Sequence, residues 1–165
     1  MELTKTRYRV IPRTLVFIFN RDHILLINQA KKEKVGFGKW NGVGGHIERG
    51  EDPIEAAIRE VYEETGLKIK NLKLKFISLI EEGINTGVCL FIFKGYSKNN
   101  KISKSEEGEI RWFSYNQLQN NVNSVKLMDD LPQIIDLVNN SADDSSVKIL
   151  KYFSKKSGLV IDVLD

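Results

Sequence analysis

Among its 165 residues the chain carries one cysteine, two histidines and three prolines. A single thiol excludes a disulfide framework and a thiolate zinc site. Cys89, within GVCLFIF, reads as a small buried hydrophobe. Neither His23 nor His46 has a serine and a carboxylate arranged around it as a nucleophilic triad requires. No apolar run approaches the length of a membrane span, and there is no internal repeat and no linker-like tract. The opening residues, MELTKTRYRVIPRT, carry charge but no following apolar stretch with a small-residue cleavage site, so the expected location is cytoplasmic, with no membrane partner. The glycines of GFGKWNG are misplaced for a dinucleotide fingerprint, and Gly38-Lys39-Trp40 lacks the Ser or Thr of a P-loop. The lysines of NLKLKF have no interleaved aromatics, so they read as strand-solubilising residues and no stable nucleic-acid partner is expected.

What is present is enough apolar material, 41% of the chain, for one good core, which implies a single domain over residues 1–165. The net charge of +3 is unevenly placed. Arg7, Arg9, Arg13, Arg21, Lys31, Lys32, Lys34 and Lys39 precede an acidic stretch and read as a solvated face. The acidic stretch, GGHIERGEDPIEAAIREVYEETGL, holds seven carboxylates between Gly44 and Leu67. Like charges one helical turn apart repel. A compensating cation or arginine is therefore required.

RTLVFIF and HILLINQA, separated by the turn-like NRD, read as a hairpin over residues 13–29. A glycine-rich loop follows as far as Asp52, which caps a helix; Pro53 suits its first turn, Glu55 completes a capping box and Gly66 stops it. Ile54, Ala57, Ile58 and Val61 recur at helical spacing as its buried stripe, with Tyr62 at the margin. LKIKNLKLKFISLI alternates apolar and basic residues as a half-exposed strand, and GVCLFIFKGY reads as a buried one. EIRWFSYNQL reads as a strand entering a short helix, DDLPQIIDLV as a helix, and VKILKYF with LVIDVLD as a terminal strand pair. Strands flanking one strong helix, with a second helix near the end, give an α+β sandwich.

Glu60, Glu63 and Glu64 stand at i, i+3 and i+4, so their oxygens project together beside the buried stripe. An all-oxygen set of this kind suits Mg²⁺, or Mn²⁺, better than zinc, and Mg²⁺ recruits substrate phosphate oxygens. Arg59, four residues before Glu63 and four after Glu55, is placed to steer a carboxylate. Gly45, five residues, Glu51, seven residues, Arg59-Glu60-Val61, one residue, Glu63-Glu64, one residue and Gly66-Leu67 resemble a complete Nudix box. The resemblance implies the Nudix fold, a mixed sheet packed between helices in an α/β/α sandwich. It also implies a Mg²⁺-dependent pyrophosphohydrolase of nucleoside phosphates, acting as a monomer or homodimer. In its terms Glu60, Glu63, Glu64 and the Gly45 carbonyl hold the metal, while Arg59 and Glu63 assist. Glu64 or Glu107, the latter in SEEGEIRW, takes the proton.

The segment GFGKWNGVGGHIERGE is similar to that of 8-oxo-dGTP diphosphatases within the family, where an asparagine after tryptophan contacts the purine. Asn41 and Trp40 occupy those places, and an amide both donates and accepts, as a guanine edge requires. The alternative for Asn41 is a turn residue beside Gly42. KLMDDLPQIIDLV resembles the region that supplies an aspartate pair, here Asp129 and Asp130, one buried and protonated and the other accepting; alternatively the two cap the following helix. Leu127 stands where related chains carry a stacking tryptophan, which leaves stacking to Trp40, Phe37 or another aromatic. Other readings are a Nudix hydrolase of dinucleoside polyphosphates, ADP-ribose or an RNA 5′ end, and a nucleotide-sensing module without turnover.

Overall fold

The computed structural model describes residues 7–30, 37–103, 105, 108–120, 125–155 and 158–164, with backbone alone for 153–155 and 158–159. Along the chain run β1 (Arg9–Asn20), β2 (His23–Gln29), β3 (Trp40–Asn41), α1 (Pro53–Thr65), β4 (Lys73–Glu81), β5 (Thr86–Tyr96), β6 (Gly108–Ser114), α2 (Tyr115–Asn120), α3 (Leu131–Asn140), β7 (Lys148–Lys155) and β8 (Gly158–Leu164). The described strands form one sheet in the order β3-β2-β1-β5-β4-β7-β8, with β6 paired to β2. β1 with β5 and β4 with β7 are parallel, and the other pairings are antiparallel.

Both faces of the sheet are covered, and the period of two in β1 shows how. Leu15, Phe17 and Phe19 face a core completed by Leu131, Ile134, Ile135 and Val138 of α3. Val16 and Ile18 face one completed by Ala57 and Val61 of α1. A mixed sheet between helices is the α+β sandwich that the sequence implies.

α1 carries the capping box. Asp52 Oδ1 accepts from the Ile54 and Glu55 amides at 2.7 and 2.9 Å, and the Asp52 amide donates to Glu55 Oε2 at 3.1 Å. Gly66 ends the helix at φ 72°. The buried stripe differs from the expected one. Ile54 is 48% exposed and Tyr62 is also exposed, whereas Ala56, Ala57, Val61, Glu64 and Thr65 are buried. Small residues seat the helix against the sheet, and the inward sector includes Glu64 because its carboxylate finds an amide donor there.

Two further differences follow from tertiary context. Lys75, expected on the solvent side of its strand, is 1% exposed. The pairing of β4 slips between Leu74 and Phe76, and such a bulge re-aims a side chain. The Lys75 ammonium then donates to Ala142 O at 2.6 Å and Ser145 Oγ at 2.7 Å, which accounts for a buried charge. The glycine-rich loop also contains β3. The pairing of β1 with β2 covers only Ile18–Asn20 and His23–Leu25. Where the two strands part, Trp40 and Asn41 pair with β2 while Val43 and His46 bridge to Val16 and Arg13 of β1. This inserted segment sets the loop ahead of α1.

Candidate active site

Arg59 organises the acidic face of α1. Its Nε donates to Glu51 Oε1 at 2.6 Å and its Nη2 to Glu51 Oε2 at 2.9 Å, a bidentate fork. Nη1 donates to Glu60 Oε1 and Glu63 Oε2, both at 3.0 Å, and Nη2 also reaches the His46 carbonyl at 3.0 Å. All five guanidinium protons therefore have acceptors. The arginine contact expected with Glu63 is present; the one with Glu55 is not, because Glu55 is committed to the cap. The hydrogen bonds from Arg59 hold the Glu51 carboxyl down to about 2 from its usual 4.5, with help from the Glu48 amide and against the opposing effect of burial. Reciprocally, Glu51 raises Arg59 further above its usual range, with smaller contributions from Glu60 and Glu63.

The loop before the helix is built to touch these acids. A Cβ on Gly45 would lie 2.4 Å from Glu60 Oε1, so the Glu60 carboxylate rests directly on the Gly45 backbone. Gly44, at φ 147°, donates its amide to Glu64 Oε2 at 3.1 Å, and a Cβ there would be 2.2 Å from Thr14 O. The Gly45 carbonyl accepts from the Thr14 amide at 2.8 Å, which occupies one of its two lone pairs. Among the described residues no three His, Cys, Asp or Glu side chains stand in a ready-made coordination cluster. The glutamates are gathered round a guanidinium instead. Three carboxylates on one guanidinium, with Glu64 behind them, leave the face net negative.

The residues expected to bind substrate occupy a second region. The Trp40 amide donates to Lys126 O at 2.7 Å and the Met128 amide to Trp40 O at 3.0 Å, which brings the segment before α3 against β3. Asn41 Oδ1 accepts from the Gly42 amide at 2.8 Å, the local turn bond. Trp40 does not offer the stacking surface expected of it. Its ring is 7% exposed, meets Phe113 edge-on at 4.8 Å and lies under the Arg111 guanidinium at 5.3 Å. The pairing Asn28↔Trp40 turns that ring into the core under α3. Phe37 is 49% exposed.

Neither aspartate is fully buried, where one of the two was expected to be. The Asp129 side chain is 81% exposed and receives Lys39 Nζ at 2.7 Å. Asp130 stands at the N-cap of α3 without a side-chain cap bond and accepts from Tyr152 Oη at 3.1 Å. Burial, then the charge of Asp130, pushes the Tyr152 hydroxyl above its usual range and keeps it a donor. Glu107 lies outside the described residues. Thr14, whose hydroxyl accepts from the Gly45 amide at 3.4 Å, and Tyr152 escape sequence reasoning, because nothing in a strand pattern marks which hydroxyl will meet a distant loop or aspartate.

Residues 10–131 match the NUDIX domain family. The chain is 34% identical over 111 residues to an oxidized purine nucleoside triphosphate hydrolase of Danio rerio, covering 64% of this chain and 67% of that protein. It is 34% identical over 111 residues to the NAD-capped RNA hydrolase NudC of Haemophilus influenzae, covering 67% of this chain and 42% of that protein. The fold matches that of a MutT protein from Bacillus halodurans with a TM-score of 0.71 and 25% identity, over 93% of this chain and 98% of the other. With the family match covering nearly all of β1, the strands β2 to β6, the glycine loop and the whole of α1, the chain belongs to the NUDIX domain family and is a Nudix hydrolase.

Proposed function

We propose that the protein is a cytoplasmic, divalent-metal-dependent pyrophosphohydrolase that cleaves a purine nucleoside triphosphate, 8-oxo-dGTP among the candidates, to the monophosphate and pyrophosphate. The observation that supports it most is the seating of Glu60 on Gly45 beside Glu63 and Glu64. This is an oxygen-only face with more negative charge than Arg59 neutralises. Such a donor set fits Mg²⁺ or Mn²⁺. Glu60, Glu63, Glu64 and the Gly45 carbonyl would hold the ion, which supplies charge neutralisation at phosphate oxygens and eases deprotonation of water.

The chain's own residues do the rest. Arg59 spaces the carboxylates and ties Glu51 and the His46 carbonyl to them, so the loop and helix keep one geometry. Glu64, fixed by the Gly44 amide, is the proposed proton acceptor at Oε, with Glu107 the other candidate. Asn41 and the Asp129–Asp130 segment, joined through Trp40 and Met128, support a base site. The similarity to a hydrolase of oxidized purine nucleoside triphosphates favours that substrate class. A pyrophosphate-release screen across ordinary and oxidised nucleotides, dinucleoside polyphosphates, ADP-ribose and NAD-capped RNA, with Mg²⁺, tests the proposal. Turnover confined to the last three groups would replace it.

Two variants probe the two halves of the site. Gly45→Ala should push the Glu60 carboxylate off the loop, raising the Mg²⁺ concentration for half-maximal rate by about tenfold. A metal titration of the rate checks this. Asn41→Ala should raise KM for purine nucleotides more than for pyrimidine nucleotides. Equal changes for both would leave Asn41 only its turn bond to Gly42.

A further inference from the structure

Arg13 is half-buried, yet among the described residues its guanidinium has no hydrogen-bond, ion-pair or ring partner. With the stem of the side chain partly covered and all five guanidinium donors uncommitted, Arg13 is open to an acceptor that a ligand brings. Its position says what kind of ligand. The register of β1 against β5 is unbroken from Arg9 to Phe19, so Arg13 falls on the face of Leu15 and Phe17, opposite Leu90. Leu90, Met128 and Tyr152 pack at the margin of that same core. Asp129 and Asp130 follow Met128 directly, and Asp130 is held by Tyr152. Arg13 also bridges to His46, whose carbonyl Arg59 grips, so it stands one strand from the loop that carries Gly45.

The side of the sheet that carries Arg13 also carries the Asp129–Asp130 segment, where Lys39 is engaged by Asp129 and Tyr152 by Asp130, so Arg13 is the cation there whose donors are uncommitted among the described residues. The acidic helix α1 lies on the other face, with Val16 and Ile18, which puts Arg13 on the base side and away from the carboxylates proposed for the metal. A guanine-type base is complementary to such a set: it presents N1–H and N2–H₂ donors, and its O6 is an acceptor where adenine has an amino donor. Arginine, with five donors and no acceptor, distinguishes those two groups.

We propose that Arg13 is a specificity-determining residue that donates to the 6-oxo group of the bound base and so selects 6-oxopurine over 6-aminopurine nucleotides. This rests on the pyrophosphohydrolase reading above. The test is kcat and KM for dGTP, 8-oxo-dGTP, dITP, dATP, 8-oxo-dATP and dCTP, with the native chain, Arg13→Met and Arg13→Lys. Met retains an unbranched apolar stem for packing and Lys retains the charge. The native chain should favour 6-oxopurines over their 6-amino counterparts by about tenfold or more in kcat/KM. In Arg13→Met the loss should fall on KM of the 6-oxopurines, dITP included, and the preference should collapse. Arg13→Lys should not restore it, because a flexible ammonium lacks the planar fork. Unchanged preference in Arg13→Met overturns the proposal. So does an equal rise in KM for all substrates including dCTP, which would assign Arg13 to the phosphates. If the native chain hydrolyses none of these nucleotides, the pyrophosphohydrolase reading falls and takes this one with it; hydrolysis with ratios that Arg13→Met leaves alone sinks the Arg13 assignment only.

Discussion

Glu64→Gln should lower kcat by about 10²- to 10⁴-fold, the range for loss of a positioned proton acceptor, while leaving the fold in place. Glu64 is 3% exposed and its Oε2 accepts from the Gly44 amide. Glutamine presents the same acceptor oxygen at nearly the same volume, so the bond to Gly44 survives. What disappears is the charge and the ability to take a proton. Glu63→Gln should also be severe, but it acts differently, since Glu63 is half exposed and shares Arg59 Nη1 with Glu60. Rates over a range of Mg²⁺, together with Tm and circular dichroism, check both. Near-native Mg²⁺-dependent hydrolysis in both variants would end the metal assignment.

Arg59→Ala is expected to be the most damaging change for geometry and stability together. It removes all five donors, leaves Glu51, Glu60 and Glu63 facing one another and frees the loop carbonyl of His46. A fall in kcat/KM of about a hundredfold or more and a drop in Tm of about 5 °C or more are expected. Arg59→Lys should rescue little, because one ammonium has neither five donors nor the planar fork that grips Glu51.

The stability effect should depend on pH in a defined direction. Arg59 holds the Glu51 pKa at about 2, below its ordinary 4.5. A carboxylate depressed in the folded state stabilises the protein fully above its unfolded value and loses that contribution as pH falls toward the folded value. The Tm difference between the native chain and Arg59→Ala should therefore be largest above pH 5 and shrink from pH 4.5 toward 2. A difference that grows on acidification would show that the Glu51 fork is not what the variant loses.

Much of this site was legible before any coordinates. Asp52, Pro53, Glu55 and Gly66 fix the helix by short-range hydrogen bonding, and the observed cap bonds are those the residue types prescribe. The glutamates at i, i+3 and i+4 share a sector because helical geometry leaves no other outcome. The hairpin of β1 and β2, the strand leading into α2 and the terminal pair of β7 and β8 were equally readable from alternation and turn residues.

What periodicity could not give is where an element meets something distant. Lys75 looked like a solvent-facing strand lysine until a bulge and the carbonyls of residues 142 and 145 made its burial tolerable. Trp40 looked available for stacking until its register against Asn28 turned it into the core. Arg13 looked like one charge of a solvated flank until the register of β1 placed it, half-buried, on the face of Leu15 and Phe17.

By itself the sequence determined the cap, the extent and the acidic sector of α1, because spacing along one helix is a local property and local hydrogen bonds obey it. Only the tertiary structure decided which donors those acids meet, which aromatic is enclosed and that the half-buried Arg13 has no partner among the described residues. Those outcomes depend on strand register and on contacts between residues far apart in the chain, and neither has a local signature.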